Sequence, residues 1–544
     1  MNYQAKPFYL SDEQVKRIRE TVASMTEREK IGQLFCLLGD SYAPEELEEL
    51  VKEGIGGVLF RPVRTSAEIR SDFDKLDKLS KYPLLHAANL EEGGAGAASD
   101  GTYFASQLQI AASRDAEDCD NFAKVCAAEG LETGINWTFS PVSDVDVNYL
   151  NPITNCRSFG SKADRVAECA VKYTKTVQSC GIAAAAKHFP GDGVDYRDQH
   201  LHPTYNSLPA DAWRRSYGMI YRRLIDAGLL SVMVGHICQP ALEMEHTPGL
   251  SLKECMPATL SRGLLTGLLR GELGFNGLIT TDATIMGGFC MAMPREQAIP
   301  TAIAAGCDMI VFTTDVHEDM EFVAKGLESG ILSRERLDEA VATVLALKEK
   351  VCGKAGEKPV IDADAARKKC ADNAVTLVKN SSGILPLNTE KYKKIRLSVL
   401  GTDNCWDGSL RELLAAEFEK RGFEVEQYEP FKDELHATRD VPKDVLNFVA
   451  LNYPPRSNFV TERLSWCPKH AMEMPRYVNE APYVYVSFAN PYHLQDIPRT
   501  KVYVNAYTAT RATAEAVTEK LCGESGFTGI SPVDAFCGLP DTKF

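Results

Sequence analysis

The 544-residue chain has no apolar stretch approaching the roughly twenty residues that span a bilayer, so no helical membrane anchor is expected. Residues 1–16 are polar and lack the apolar core of a secretion signal, which makes the cytoplasm the default expectation for location. Positive charge is also in short supply, with 60 Lys and Arg against 75 Asp and Glu and a net charge of −15. A surface of that sign repels phosphate backbones and anionic headgroups, so neither nucleic acid nor membrane is an expected partner. The sixteen cysteines include no Cys-x-x-Cys pair. Cys169, Cys238 and Cys307 fall in apolar or helical-looking segments, where a reduced thiol behaves as a small hydrophobe, and no disulfide framework is indicated. His-Glu-x-x-His and the calcium-loop spacing of aspartates are absent as well. Gly94-Ala95-Gly96 begins a dinucleotide fingerprint, but its third glycine is missing and Gly93 crowds the loop. No cofactor is called for.

What the chain does contain is an alternation. Short apolar runs recur at 55–60, 83–89, 135–142, 181–189, 229–237, 277–282 and 307–313, separated by helical sequence. Val166, Cys169, Ala170, Tyr173 and Val177 follow the three-and-four spacing of an amphipathic helix, as do Trp213, Tyr217, Ile220, Tyr221 and Leu224. Strands that read as continuous apolar runs are buried on both faces, as parallel strands under a layer of helices must be. Seven such strands predict an α/β fold of the TIM-type (β/α)8 class, with an open doubly wound sheet as the alternative. Each run ends in reactive or binding side chains: Asn89 with Glu91, Asp144 with Asp146, Lys187 with His188, then His236, Asp282 and Asp315. In a barrel these ends share one face.

At 44% hydrophobic and 25% charged, the composition is that of a globular protein long enough for two cores. The barrel domain is expected over 1–355, with a linker at 352–359, and a smaller α/β sandwich domain over 356–544. The second domain shows strands at 375–379, 397–401, 483–488 and 501–506, a helix at 409–421, and loops around 452–458.

The reactive residues suggest cleavage of a glycosidic bond, which with retention needs a nucleophile at the anomeric carbon and a proton donor at the leaving oxygen. Asp282, at the end of the 277–282 strand, suits the first role, although an Asp there can also simply cap the next helix. His200 suits the second, because an imidazole titrating near 6.5 gives and takes protons at neutral pH, and Asp198 two residues away would orient it. Lys187, His188 and Arg157 carry hydrogen-bond donors for sugar hydroxyls; Asn89, Glu91, Asp144 and His236 are further candidates for substrate contact.

Taken together, these segments resemble glycoside hydrolase family 3, specifically its β-N-acetylglucosaminidase branch. That branch's loop signature Lys-His-Phe-Pro-Gly-His-Gly-Asp-Thr-x-x-Asp-Ser-His aligns without gaps on residues 187–200. The resemblance extends over 136–146, 151–160, 232–236, 259–286 and 373–387, the last looking like the start of the family's sandwich domain. It implies Asp198 and His200 as a catalytic dyad, Asp282 as nucleophile, and a retaining exo-β-N-acetylglucosaminidase acting on oligosaccharides or glycoconjugates, with no metal. Departures stand at Asp192 (family His), Val194-Asp195 (family Asp-Thr) and Gln199 (family Ser). Asn89-Leu90-Glu91-Glu92-Gly93-Gly94 stands where relatives have Asp-x-Glu-Gly-Gly, and an amide there donates as well as accepts.

Other readings remain open at this level. A histidine acid/base does not repel anions, so phosphate could replace water as acceptor, giving a β-glycoside phosphorylase; a β-glucosidase is open on the same scaffold. From other classes, His188, His200 and His202 with Asp192, Asp195 and Asp198 are potential ligands for a metal-dependent hydrolase. A sugar-binding protein without turnover is the non-catalytic alternative. Oligomeric state leaves no mark on the sequence.

Overall fold

The computed structural model describes residues 1–353, 356–429, 442–464 and 478–544. Packing divides them into two units: Met1–Phe104 with Asp120–Asn151 and Ala163–Ile361, and Ala105–Cys119 with Pro152–Lys162 and Asp362–Phe544. The second unit thus draws in two stretches that precede residue 355.

The first unit is a closed barrel of eight parallel strands: β1 Phe35–Leu38, β2 Gly57–Leu59, β3 Leu85–Ala88, β4 Trp137–Thr138, β5 Ala183–Phe189, β6 Ser231–Val234, β7 Leu278–Ala283 and β8 Met309–Val311. Each strand pairs with its sequence neighbours, and β8 closes on β1. Seven of the eight lie in the apolar runs seen in the sequence. The eighth, β1, completes the ring. Its Phe35-Cys36-Leu37 follows the helix Glu27–Gln33 with only Leu34 between them, so the strand reads as a continuation of the helix. Inward side chains fill the barrel in layers: the Trp137 indole N–H on β4 donates to Ser231 Oγ on β6 at 2.8 Å, and that hydroxyl donates to Ala184 O on β5 at 2.9 Å. Alanines at 183–186 leave room for the indole.

The surrounding helices bury the stripes that periodicity predicts. Ala163–Ser179 hides Val166, Cys169, Ala170, Tyr173 and Val177. One expectation is corrected: the Trp213–Leu224 stripe lies on two helices, Ala210–Arg215 and Tyr217–Asp226, parted at Ser216. The Ser216 hydroxyl donates to Ala212 O at 2.8 Å, a backbone contact that competes with a continuous helix.

The second unit holds a six-stranded sheet from β9 Thr376–Asn380, β10 Lys394–Gly401, β11 Glu424–Gln427, β12 Val445–Asn452, β13 Tyr483–Ser487 and β14 Val502–Asn505. The order is β9-β14-β13-β12-β10-β11, with β9 antiparallel and the rest parallel. β12 is not among the expected strands, and its last residue falls in the expected loop region at 452–458, yet all eight of its residues are buried at the sheet's centre. Leu446, Phe448 and Ala450 face one apolar layer, Val449 and Leu451 the other. Asn447, which disguises the run, donates to Pro482 O at 3.2 Å. The helix expected at 409–421 spans Leu410–Lys420, capped by Ser409. Among the described residues no helix is long and apolar enough to cross a membrane, and fifteen cysteines are free thiols.

Candidate active site

Asp282 stands one residue before the end of β7, so the strand fixes its backbone at the carboxyl face of the barrel. Its Oδ1 accepts only from the following amide, Ala283 N, at 2.7 Å, and the side chain keeps 15% of its surface open. Burial by itself pushes the Asp282 carboxyl up. The fields of His188, His236, His200 and Lys187 outweigh that, and the group lies below the ordinary carboxylate value. It is a poised anion with few direct bonds.

The neighbouring strand ends explain those fields. At the end of β5, the His188 ring joins Nδ1 to Asp144 Oδ2 at 2.7 Å and turns Nε2 toward Asp282 Oδ2 at 3.8 Å, beyond direct hydrogen-bond distance. Asp144 is spent on this support, since its Oδ1 accepts from His188 N at 3.1 Å and Asp192 N at 2.8 Å. Lys187 donates to Asn89 Oδ1 at 3.0 Å and pairs with Glu91 Oε1 at 2.5 Å. Two of its three N–H donors are therefore taken, and the Asn89 amide is oriented with its NH2 away from the lysine.

The loop after β5 delivers the dyad. His200 Nδ1 meets Asp198 Oδ1 at 2.7 Å, and the same oxygen accepts from His200 N at 2.8 Å. Asp198 is buried while the imidazole keeps 23% of its side-chain surface open, which leaves Nε2 as the nitrogen for chemistry. The loop sits down on the turn that follows Asp282: Gly287 N donates to His200 O at 2.8 Å and Gly288 N to Gln199 O at 3.1 Å. A Cβ at Gly287 would come within 2.1 Å of Leu201 O, so glycine permits the approach. His200 and Asp282, eighty-two positions apart in the chain, are thus brought to one strand end.

One candidate, His236, serves differently from the expectation of substrate contact. His236, fully buried, commits Nδ1 to Thr259 Oγ1 at 3.1 Å and Nε2 to Ala283 O at 3.0 Å. Burial pushes its pKa down against the pull of Asp282. It braces the residue after Asp282 and has no nitrogen to offer a ligand. Arg157 lies on the turn Asn155–Arg157, half-buried in the second unit. Three residues of the metal reading are held by other partners: Asp195 by Arg197 at 2.7 and 2.9 Å, His188 by Asp144, His200 by Asp198. Among the described residues, metal-capable atoms converge at Glu245, His246 and Glu272, where Arg214 already bridges both glutamates at 2.6 and 2.8 Å.

Gln199, marked in the sequence only as a departure from the family loop, is wholly buried. Its amide oxygen accepts from His236 N at 2.8 Å and its Nε2 donates to Asp192 Oδ2 at 3.3 Å. The signal was available, because Asp192 and Gln199 are two of the departures from the family loop; their contact needed the folded loop.

The chain is similar in sequence and fold to known proteins. The model of the glycosyl hydrolase family 3 N-terminal domain matches residues 26–347. A β-N-acetylglucosaminidase/β-glucosidase of Cellulomonas fimi is 39% identical over 99% of both chains. The solved structure of a β-glucoside phosphorylase, BglX, superposes with a TM-score of 0.92 at 38% identity, covering 100% of each chain. A family 3 β-N-acetylglucosaminidase from Paenibacillus sp. str. FPU-7 shares the fold, with a TM-score of 0.78 at 24% identity over 94% of this chain and 99% of that one.

Proposed function

The chain belongs to glycosyl hydrolase family 3, and we propose that within it this protein is a retaining β-glycosidase that removes terminal β-linked N-acetylglucosamine or glucose. The observation that carries the reading is the meeting of an ionised, partly open Asp282 with the Asp198–His200 dyad, whose loop is hydrogen-bonded to the turn after Asp282.

Asp282 attacks the anomeric carbon while His200 Nε2 protonates the departing oxygen, which forms a glycosyl ester on Asp282 and frees the aglycone. His200, now neutral, takes a proton from water as it attacks the same carbon, and the sugar leaves with its β configuration. Asp198 holds the ring through both steps and stabilises the imidazolium. His188 and Lys187 position hydroxyls of the terminal sugar, with Asp144, Asn89 and Glu91 behind them. Arg157 is proposed as a further sugar contact on the resemblance alone.

Phosphate in place of water is the second reading, favoured by the whole-length likeness to a β-glucoside phosphorylase and by an acid/base group that presents no second carboxylate to an incoming anion. Aryl β-N-acetylglucosaminides and aryl β-glucosides assayed with and without inorganic phosphate separate these outcomes. Aryl release from either sugar supports the glycosidase reading, and sugar-1-phosphate identifies phosphate as acceptor. No release from either sugar under both conditions overturns the proposal and leaves a binding protein.

A further inference from the structure

Two of the positions at which the 187–200 loop departs from the family signature touch each other. Asp192, 3% exposed, and Gln199, fully buried, are joined side chain to side chain at 3.3 Å. Gln199 sits between Asp198 and His200 and ties the dyad to three places: to Asp192 through Nε2, to the end of β6 through His236 N, and to the turn after Asp282 through Gly288 N. Gly235 makes the approach feasible, since a Cβ there would lie 2.8 Å from Gln199 Oε1.

Asp192 is itself fixed from several sides. Its Oδ1 accepts from Asn151 Nδ2 at 2.9 Å and Gly193 N at 2.7 Å, its backbone N–H donates to Asp144, and its carbonyl accepts from the Tyr217 hydroxyl at 2.6 Å. The Gln199 amide cannot be reversed in place. Exchanging its O and N would set a donor against His236 N–H and an acceptor against a carboxylate, both buried.

We propose that Asp192 and Gln199 form a positioning pair for the acid/base dyad, fixing where His200 meets the leaving oxygen; this role rests on the reading of His200 as proton donor given above. The pair has a polarity that substitution can reverse. In Asp192→Asn, the new amide oxygen keeps the bonds of Oδ1, so its NH2 faces the Gln199 NH2, donor against donor. In Gln199→Glu, one oxygen accepts from His236 N and the other faces the Asp192 carboxylate. Combining the two substitutions restores complementarity, with an amide donor at position 192 facing a carboxylate acceptor at position 199.

The test is a double-mutant cycle read on two substrates, dinitrophenyl and methyl β-N-acetylglucosaminide, or the glucosides if those are the ones turned over. A displaced acid costs only the substrate that needs protonation, so each single variant should lose about 10²-fold in kcat on the methyl glycoside and far less on the dinitrophenyl one. The double variant should recover to within about fivefold of wild type. Gln199→Met, isosteric and uncharged, should show the same leaving-group signature if charge burial unfolds either single variant. Equal losses on both substrates, or losses that simply add in the double variant, overturn the proposal. His200→Ala run alongside separates the two levels: if it shows no leaving-group dependence, the proton-donor reading falls; if it does and the Gln199 variants do not, the positioning pair alone falls.

Discussion

The two ends of the barrel each bury a carboxylate among basic side chains, and they treat it in opposite ways. At the amino end, Asp308 precedes β8 with its side chain 1% exposed, paired to Arg270 and Arg336 at 2.7 Å each. It also accepts from Ile279 N at 3.0 Å. At the carboxyl end, Asp282 is compensated by the fields of three histidines and a lysine, while its one direct hydrogen bond comes from the adjacent amide. A carboxylate whose lone pairs are all bound is a strut. One held ionised by neighbours that stand back keeps a lone pair for an electrophile. The size of a cavity does not make this distinction. A groove of about 910 Å³ opens at the amino end, beside His86 and Cys352, but His86 is engaged by Asp77 at 3.1 Å and Gly134 O at 2.9 Å.

The contrast breaks most visibly at Asp282. Asp282→Asn should lower kcat by on the order of 10⁴-fold or more, with an unchanged thermal midpoint, because no strut is lost. Near-normal turnover in that variant would remove its assignment. The mirror experiment at the other end is Asp308→Ala, which leaves two arginines facing each other without their counter-ion. It should cost about 3–5 kcal/mol of stability by denaturant titration while kcat per folded molecule stays near wild type; a kcat loss without a stability loss would erase the distinction between the ends. His200→Ala should cost on the order of 10²–10⁴-fold on glycosides with poor leaving groups and far less on activated aryl glycosides. Equal losses on both would count against the acid role.

Two smaller effects sharpen the picture within the carboxyl end. Burial, and after it the Asp144 carboxylate, push Asp192 up to about 6, with His188 pulling the other way. The folded chain then holds this proton more tightly than the unfolded chain, whose aspartates titrate near 3.9, so this group's contribution to stability is full below about 4 and is lost as pH rises through about 6. The difference in denaturant midpoint between wild type and Asp192→Asn should change over that window, and a pH-independent difference would contradict it. Asn89→Asp places a carboxylate on Lys187 beside Glu91. It should alter the ratio of kcat/KM between N-acetylglucosaminide and glucoside by a fewfold, and an unchanged ratio would detach Asn89 from sugar recognition.

Both ends of the barrel were visible in the sequence to different depths. Strands buried on both faces leave continuous apolar runs, and Asp282 and Lys187-His188 could be placed because they end such runs. β1 hid behind a helix that runs almost directly into it, and β12 hid behind Asn447. The family loop carried Asp198 and His200 by position. What residue order did not carry was direction: that Asp144 faces His188, that His236 spends both nitrogens inside the protein, and that Asp192 reaches Gln199 across seven positions. Those relations depend on how a loop folds over neighbouring strand ends, which no periodicity encodes.

The proposed mechanism requires a bond between an Asp282 carboxylate oxygen and the anomeric carbon. Reaction with a 2-deoxy-2-fluoro β-glycoside carrying an activated leaving group, followed by proteolysis and mass spectrometry, tests that directly. A single added sugar on the peptide that contains Asp282, absent in Asp282→Asn, is the predicted result. An adduct on any other residue, or steady aryl release with no adduct at all, would contradict it.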